Sequence, residues 1–448
     1  MSPVDLLAES AGRPGDVVLV GPSRSWTHAQ LSEAVDERSA VLGRERAVDP
    51  PGAIVPVTVG PGPSSILEVL ACWRAGHVPA LVNERLTDEE RALAREALAE
   101  AVCPPGTQVV LWTSGTSGRS RGVALSAENL RAITVASRER LGLSSDDVWL
   151  ASLSPAHVGG LVLIVRALLL GSPLISGPSI GSEDLDELLE HGAACGAGRL
   201  LPTHVSLVPT QLLHLLEARG ARQAPSQLRC VLIGGAHCPL ALASRAIDAG
   251  WPVALTYGAT EMTSQIATAP AELVRRAPGT VGLPMPGVEI RRAESGELLV
   301  RGPTRALGYV GPASASLADS DGWYHTGDLG RIDEVGQLWI TGRRIDRIVS
   351  GGATIDAVEV EEAVRSHPMV VDVCVVGVPD DEWGERVAAW VVPVEGEFDL
   401  EELDAHVRRR IAGAKVPRRW HVGHRLPRNA NGKVDRIAVR ARLAHAPS

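Results

Sequence analysis

Phenylalanine and tyrosine are almost missing from this chain of 448 residues: there is one Phe and there are three Tyr, against ten Trp. With so few to place, each tyrosine's position carries information, and two of them, Tyr257 and Tyr324, fall inside short polar motifs. The six cysteines (72, 103, 195, 230, 238 and 374) are scattered, without a C-x-x-C pair. That spacing speaks against a cysteine metal cluster and for reduced, small apolar residues in a cytoplasmic protein. The N-terminus lacks a basic segment followed by an apolar core, so no signal peptide is expected. No apolar run is long enough to cross a membrane; the strongest, residues 161–170, is short, is interrupted by Arg166 and reads as a buried helix. Positive charge is also short, with a formal net charge of −9, which argues against nucleic acid as a general partner. Internal repeats and long low-complexity segments are absent, and the weakest stretch is 313–321.

What remains is the composition of a soluble globular protein, 45% hydrophobic and 22% charged, in a chain too long for one ordinary core. Short β-rich runs at 17–20, 54–59, 109–112, 205–208, 231–233 and 253–257 alternate with amphipathic stretches at 27–42, 65–75, 87–101, 126–141, 209–217 and 239–249. Apolar strands alternating with helices imply sheets covered on both faces, and Pro56 demotes the second run to an edge. From about 281 the texture changes to hairpins, around A-E-S-G and D-E-V-G turns. After Arg343 come a strand at 347–349, a Gly-Gly turn, and a helix opening with Asp356 and Glu359 in capping-box spacing and stopping before Pro368. Strands at 370–378 and 387–394, a helix at 400–411 and a basic tail complete the chain. The reading is an α/β fold: a large N-terminal domain of layered α/β sheets (1–342) with a β-rich subdomain (about 281–342), then a small α+β C-terminal domain (343–448).

The richest chemistry follows the apolar run 109–111, where the chain reads W-T-S-G-T-S-G-R-S-R-G from Trp112 to Gly122. A strand emptying into a loop of hydroxyls, glycines and arginines can hold a polyphosphate on backbone N–H groups and cationic tips. The spacing does not fit the Walker pattern. Downstream, in order, stand Y-G-A-T-E (Tyr257 to Glu261), Y-H-T-G-D (Tyr324 to Asp328), G-R-R-I-D-R-I-V-S-G-G (Gly342 to Gly352) and N-G-K-V-D-R (Asn431 to Arg436). Together the five resemble the motifs of the adenylate-forming superfamily: acyl-CoA synthetases, luciferases and peptide-synthetase adenylation domains. The resemblance covers nearly the whole chain.

The resemblance implies ATP and Mg²⁺ as cofactors, coenzyme A as co-substrate, a carboxylic acid as small-molecule partner, and a C-terminal domain that swings between half-reactions. It assigns Thr113, Ser114, Gly115, Thr116, Ser117, Gly118 and Arg121 to the β- and γ-phosphates. Relatives usually have Pro-Lys where this chain has Ser120-Arg121; arginine still binds phosphate, bidentately. Tyr257 and Gly258 would meet adenine, as would Gly235 and Ala236 in the G-G-A turn. Glu261 with Thr260 would hold Mg²⁺, a hard cation that needs about one or two protein oxygens beside phosphates. Asp328 would accept from the ribose hydroxyls, Arg343 would add a ribose or phosphate contact, and Lys433 would bridge the substrate carboxylate and the α-phosphate. Gly351 and Gly352 would line a thiol channel, although the chain reads G-G-A-T-I-D-A where relatives tend to G-G-E-N-I-x-P. The pivot position, often Asp or Lys in relatives, is Ile345.

Amino-acid-activating members carry an aspartate on the helix after the fourth motif, and the segment S-P-A-H-V-G-G-L (Ser154 to Leu161) holds no acid. That segment, with T-H-V-S-L-V-P-T-Q-L and Y-G-A-T-E-M-T-S-Q-I, is similar to the o-succinylbenzoate–CoA ligase family of menaquinone biosynthesis. Its substrate has a second carboxylate, for which His157, Ser206, Gln211, Ser264 and Gln265 are the polar candidates. A ligase for another aryl or short acyl acid, a standalone adenylation domain feeding a carrier protein, and a non-catalytic nucleotide-binding homologue stay open at this point, as does self-association of the chain.

Overall fold

The computed structural model describes residues 2–46, 49–50, 52–99, 101–113, 121–177, 182–311, 316–350, 353–380, 382–396, 398–411, 413–429 and 432–445. Its largest sheet has nine strands in the order Leu283–Pro284, Ser264–Ala269, Val253–Ala259, Cys230–Ile233, His204–Leu207, Trp149–Ala151, Leu174–Ser176, Val17–Val20 and Ser25–Thr27. The strands from Val253–Ala259 to Val17–Val20 run parallel, and antiparallel strands close both ends. Helices cover both faces, as the uniformly apolar strands require. Pro209–Arg219 and Leu240–Asp248 pack into one apolar cluster, while Ala127–Leu141 and Val158–Leu170 pack into another.

The second cluster also takes in a five-stranded sheet ordered Gly308–Val310, Arg121–Ser126, Thr107–Thr113, Val78–Asn83 and Ile54–Val59. Two helices thus lie between two sheets, and each fully buried Leu or Ile there contributes about 1.5–3 kcal/mol. Residues 161–170 are the buried helix that their apolar run predicts, and Arg166 is buried with them, its guanidinium 4.7 Å from the Trp149 ring centroid. Pro56 lies in an edge strand, where its missing N–H costs no ladder bond.

A four-stranded antiparallel sheet, Glu289–Arg292, Glu297–Arg301, Tyr324–Ile332 and Leu338–Arg343, forms the β-rich part. After the single turn Arg344–Asp346 the chain enters a separate five-stranded sheet and its own apolar core, the small C-terminal domain. One expectation fails here. Asp356 precedes the helix Ala357–Arg365 but makes no cap; it stands opposite Arg347 across a hairpin and accepts from Arg347 Nε at 3.0 Å, a stronger charged partner than an amide. The basic tail of the sequence reading forms the strand Arg419–Val422 and the helix Arg436–His445, and its arginines reach carbonyls and an acid of the same domain.

Candidate active site

Four neighbouring parallel strands end on the same side, and each carboxyl end opens into a segment with candidate residues. Trp149–Ala151 leads to His157, His204–Leu207 leads to Gln211, Cys230–Ile233 leads to Gly235 and Ala236, and Val253–Ala259 leads to Thr260 and Glu261. Gly235 sits at φ +78°, where a side chain would be strained. Gly258 is needed for space: a Cβ there would lie 1.7 Å from the Ser264 carbonyl oxygen across the hairpin.

Asp328 comes from the β-rich sheet and is 4% exposed. One carboxylate oxygen accepts from the Tyr257 hydroxyl at 2.7 Å, and the other faces Arg343 Nε at 2.7 Å. Burial, reinforced by that carboxylate, pushes the Tyr257 phenol well above its ordinary range, so it stays a donor. Tyr257 is only 9% exposed. Glu261 accepts from the Tyr309 hydroxyl at 3.1 Å, and Tyr309 lies beneath Arg121, 5.2 Å from guanidinium carbon to ring centroid. Tyr324 is pushed up by burial and by Glu261, Tyr309 and Asp328. All three tyrosines therefore meet at this one place.

The cation that completes the cleft arrives from the other domain. The chain holds two lysines in all. Lys415 is paired with Glu359 at 2.6 Å; Lys433 is open to solvent in the cleft. Lys433 is presented by a tight turn: Asn429 N–H donates to its carbonyl at 2.8 Å, and its own N–H donates to Asn429 Oδ1 at 3.1 Å. Arg436 fastens that turn to the domain through Glu361 at 2.7 Å and the Val375 carbonyl at 2.7 Å. Partial desolvation in the cleft, and then Arg343, lower the pKa of the ammonium, against the pull of Asp328 and Glu261. His157 is held down to about 4, first by burial and then by Lys433 and Arg85. Asn83 Nδ2 reaches its Nε2 at 3.4 Å.

A sequence model for AMP-binding enzymes matches residues 94–310, and one for the C-terminal domain of AMP-binding enzymes matches 359–433. A 2-succinylbenzoate–CoA ligase of Bacillus cereus is 37% identical over 363 residues, which are 79% of this chain and 72% of that enzyme. The chain belongs to the AMP-binding enzyme family. Among solved structures of the family, o-succinylbenzoate CoA synthetase from Bacillus subtilis in complex with the acyl-adenylate intermediate superposes with a TM-score of 0.86 at 27% identity, covering 100% of this chain and 99% of that one. The same enzyme with ATP and magnesium gives 0.85 at 27% identity, over 98% and 99%.

Within this AMP-binding enzyme, Glu261, Asp328, Arg343 and Lys433 converge, with Tyr257 on Asp328, Arg121 joined to Glu261 through Tyr309, and His157 near Lys433; Thr260 precedes Glu261 in the chain. Thr113 is the last described residue before 114–120 and stands opposite Arg121 in the hairpin register. Ser114, Gly115, Thr116, Ser117 and Gly118 lie outside the described residues, as do Gly351 and Gly352. Several residues expected to meet the acid are engaged elsewhere. Gln265 is 1% exposed, and its amide accepts from Ser137 at 2.7 Å and donates to Thr268 at 2.8 Å, so it serves the core. Gln211 uses its amide on the Val208 N–H at 3.0 Å and the Ser152 carbonyl at 3.3 Å, bracing a helix start. Ser206 is buried within its strand, and Ser264 begins the strand Ser264–Ala269 at φ +92°. Tyr309, Asn83 and Arg85 were not among the sequence candidates, since each is brought in by tertiary pairing.

Proposed function

We propose that this chain is an ATP-dependent acid–CoA ligase working through an acyl adenylate, with o-succinylbenzoate as its acid and the cytoplasm as its place. The observation that carries the reading is the convergence of Lys433, from the C-terminal domain, with Arg343, Asp328 and Glu261 in one cleft. The similarity to o-succinylbenzoate ligases supports the choice of acid.

A substrate carboxylate oxygen attacks the α-phosphorus of ATP, the mixed anhydride forms and diphosphate leaves. Lys433, charged beside both reactants, offsets the negative charge that builds on the α-phosphate. Asp328 keeps lone pairs free for the ribose hydroxyls while Tyr257 and Arg343 hold its orientation. Arg121, at the foot of the phosphate loop, takes the far phosphates. Glu261 and Thr260 offer the hard oxygens that Mg²⁺ prefers, and one or two carboxylates beside substrate phosphates are the usual complement. Mg²⁺, when bound, neutralises charge on the triphosphate. In the second half-reaction the thiol sulfur attacks the acyl carbon and AMP leaves. The turn Arg344–Asp346 joins the sheets of the two domains and is where we place the pivot for that exchange.

Incubation with ATP, Mg²⁺, coenzyme A and o-succinylbenzoate, beside benzoates and short fatty acids, tests the reading by mass spectrometry. Acyl-AMP and a thioester from o-succinylbenzoate alone are expected. Adenylate without thioester would overturn coenzyme A as acceptor, and no adenylate from any acid would overturn the activity. Lys433→Ala is expected to abolish adenylate formation while sparing thioester formation from supplied adenylate; equal loss of both would remove the role given to Lys433.

A further inference from the structure

Tyr309 belongs to none of the five motifs, yet it is the side chain whose hydroxyl meets the Glu261 carboxylate, donating to Oε1 at 3.1 Å. Its ring lies 5.2 Å below the Arg121 guanidinium carbon. Both contacts come from one long-range pairing. Gly308–Val310 runs antiparallel to Arg121–Ser126 with Tyr309 opposite Val123, so Arg121, two residues earlier, is its diagonal neighbour on the same face.

The backbone around Tyr309 is fixed without help from the hydroxyl. Leu307 N–H donates to the Ala124 carbonyl at 2.9 Å, and Ala306 N–H to the Glu261 carbonyl at 2.9 Å. Thr263 Oγ1 donates to the Thr304 carbonyl at 2.7 Å, and Asn129 Nδ2 bonds the carbonyls of Pro303 and Arg305 at 2.8 and 2.9 Å. A hydroxyl unnecessary for the strand is free to serve the carboxylate. A tyrosine hydroxyl is protonated at neutral pH and donates here to the carboxylate. It occupies one acceptor site of Glu261 and leaves Oε2 open.

We propose that Tyr309 is a positioning residue: its hydroxyl orients the Glu261 carboxylate toward a divalent cation carried in with the triphosphate, and its ring seats Arg121 on the phosphate side. The inference rests on the adenylation reading. One side chain then sets the relation between the metal oxygen and the phosphate cation, which come from different sheets.

The test uses the full chain, Mn²⁺ as the probe and a non-hydrolysable ATP analogue. Electron paramagnetic resonance reads Mn²⁺ affinity in the ternary complex, and calorimetry reads analogue affinity without metal. Tyr309→Phe should weaken Mn²⁺ about tenfold, the loss of one hydrogen bond to a charged group, while metal-free analogue binding holds within about twofold. In a Glu261→Gln background the same change should add nothing, since the two act as a unit. Tyr309→Leu, which also removes the ring, should weaken metal-free binding severalfold. Unchanged Mn²⁺ affinity in Tyr309→Phe, or an equal loss in the Glu261→Gln background, overturns this inference alone. A parent protein that binds no analogue overturns the adenylation reading and this inference with it.

Discussion

Replacing Asp328 by asparagine removes one charge from a carboxylate whose two oxygens are both in use. The Tyr257 bond is buried, and a hydrogen bond to a charged group is worth about 1.5–3 kcal/mol. Asparagine can still accept from Tyr257, keeping about 1 kcal/mol of that, but its NH₂ then faces Arg343, donor against donor. Arg343 is half exposed, so solvent screens its share to roughly 0.5–1 kcal/mol. The sum is a loss of about 1–3 kcal/mol, measurable by urea unfolding followed by tryptophan fluorescence. If Asp328 also receives the ribose hydroxyls, AMP affinity should drop about tenfold or more beyond what instability explains, read by calorimetry well below the melting range. A variant within about 0.5 kcal/mol of the parent would refute the Tyr257–Asp328 bond. Lost stability with unchanged AMP affinity would make Asp328 a structural post and refute its place in the nucleotide site.

Gly258→Ala puts a Cβ 1.7 Å from the Ser264 carbonyl oxygen, backbone against backbone, so the hairpin that carries Glu261 must open. Expected are a loss of stability above about 3 kcal/mol and no adenylate formation; a stable, active variant would mean the turn is not closed as described. His157, whose pKa burial holds near 4, is neutral in the fold but takes a proton near 6.5 when unfolded. Acid therefore favours the unfolded chain, from about pH 6.5 down to 4. Replacing His157 by Asn should narrow the stability gap to the parent, or reverse it, by about 2 kcal/mol between pH 7.5 and pH 5, and a pH-independent gap would refute the burial of this imidazole.

Much of the architecture was legible because it is local. The strands 17–20, 54–59 and 231–233 are apolar runs between turn signals, and their neighbours carry one apolar face each, so position and type follow from period alone. Candidate residues at strand ends were legible for a related reason: Gly235, Gly258 and Gly327 mark where the backbone must turn or approach closely, and the candidate side chains stand beside them. The acid pocket shows where this fails. Ser264 and Gln265 are consecutive in one strand, and alternation sends consecutive side chains to opposite faces, so both could not line the same pocket. Tyr309 was illegible for the opposite reason. It follows Gly308 in an unremarkable run and joins the site through a strand pairing with residues nearly two hundred positions earlier, which no local pattern encodes.

The division of the site between domains has an energetic consequence. The oxygens and turns at the strand ends are set in a continuous sheet and packed core, whereas Lys433 rides on a turn that Arg436 ties to its own domain through Glu361 and the Val375 carbonyl. Among the contacts that join the domains are His237 with Glu362 at 2.8 Å and Arg428 with Thr210 at 3.5 Å, both at the surface. Surface pairs of this kind contribute about 0–1 kcal/mol each. A cation carried on a self-sufficient turn and docked through weak surface contacts can be delivered and withdrawn without unfolding anything. The role proposed for Lys433 uses that combination: one charge at the α-phosphate while the anhydride forms, and the same space cleared when the thiol attacks.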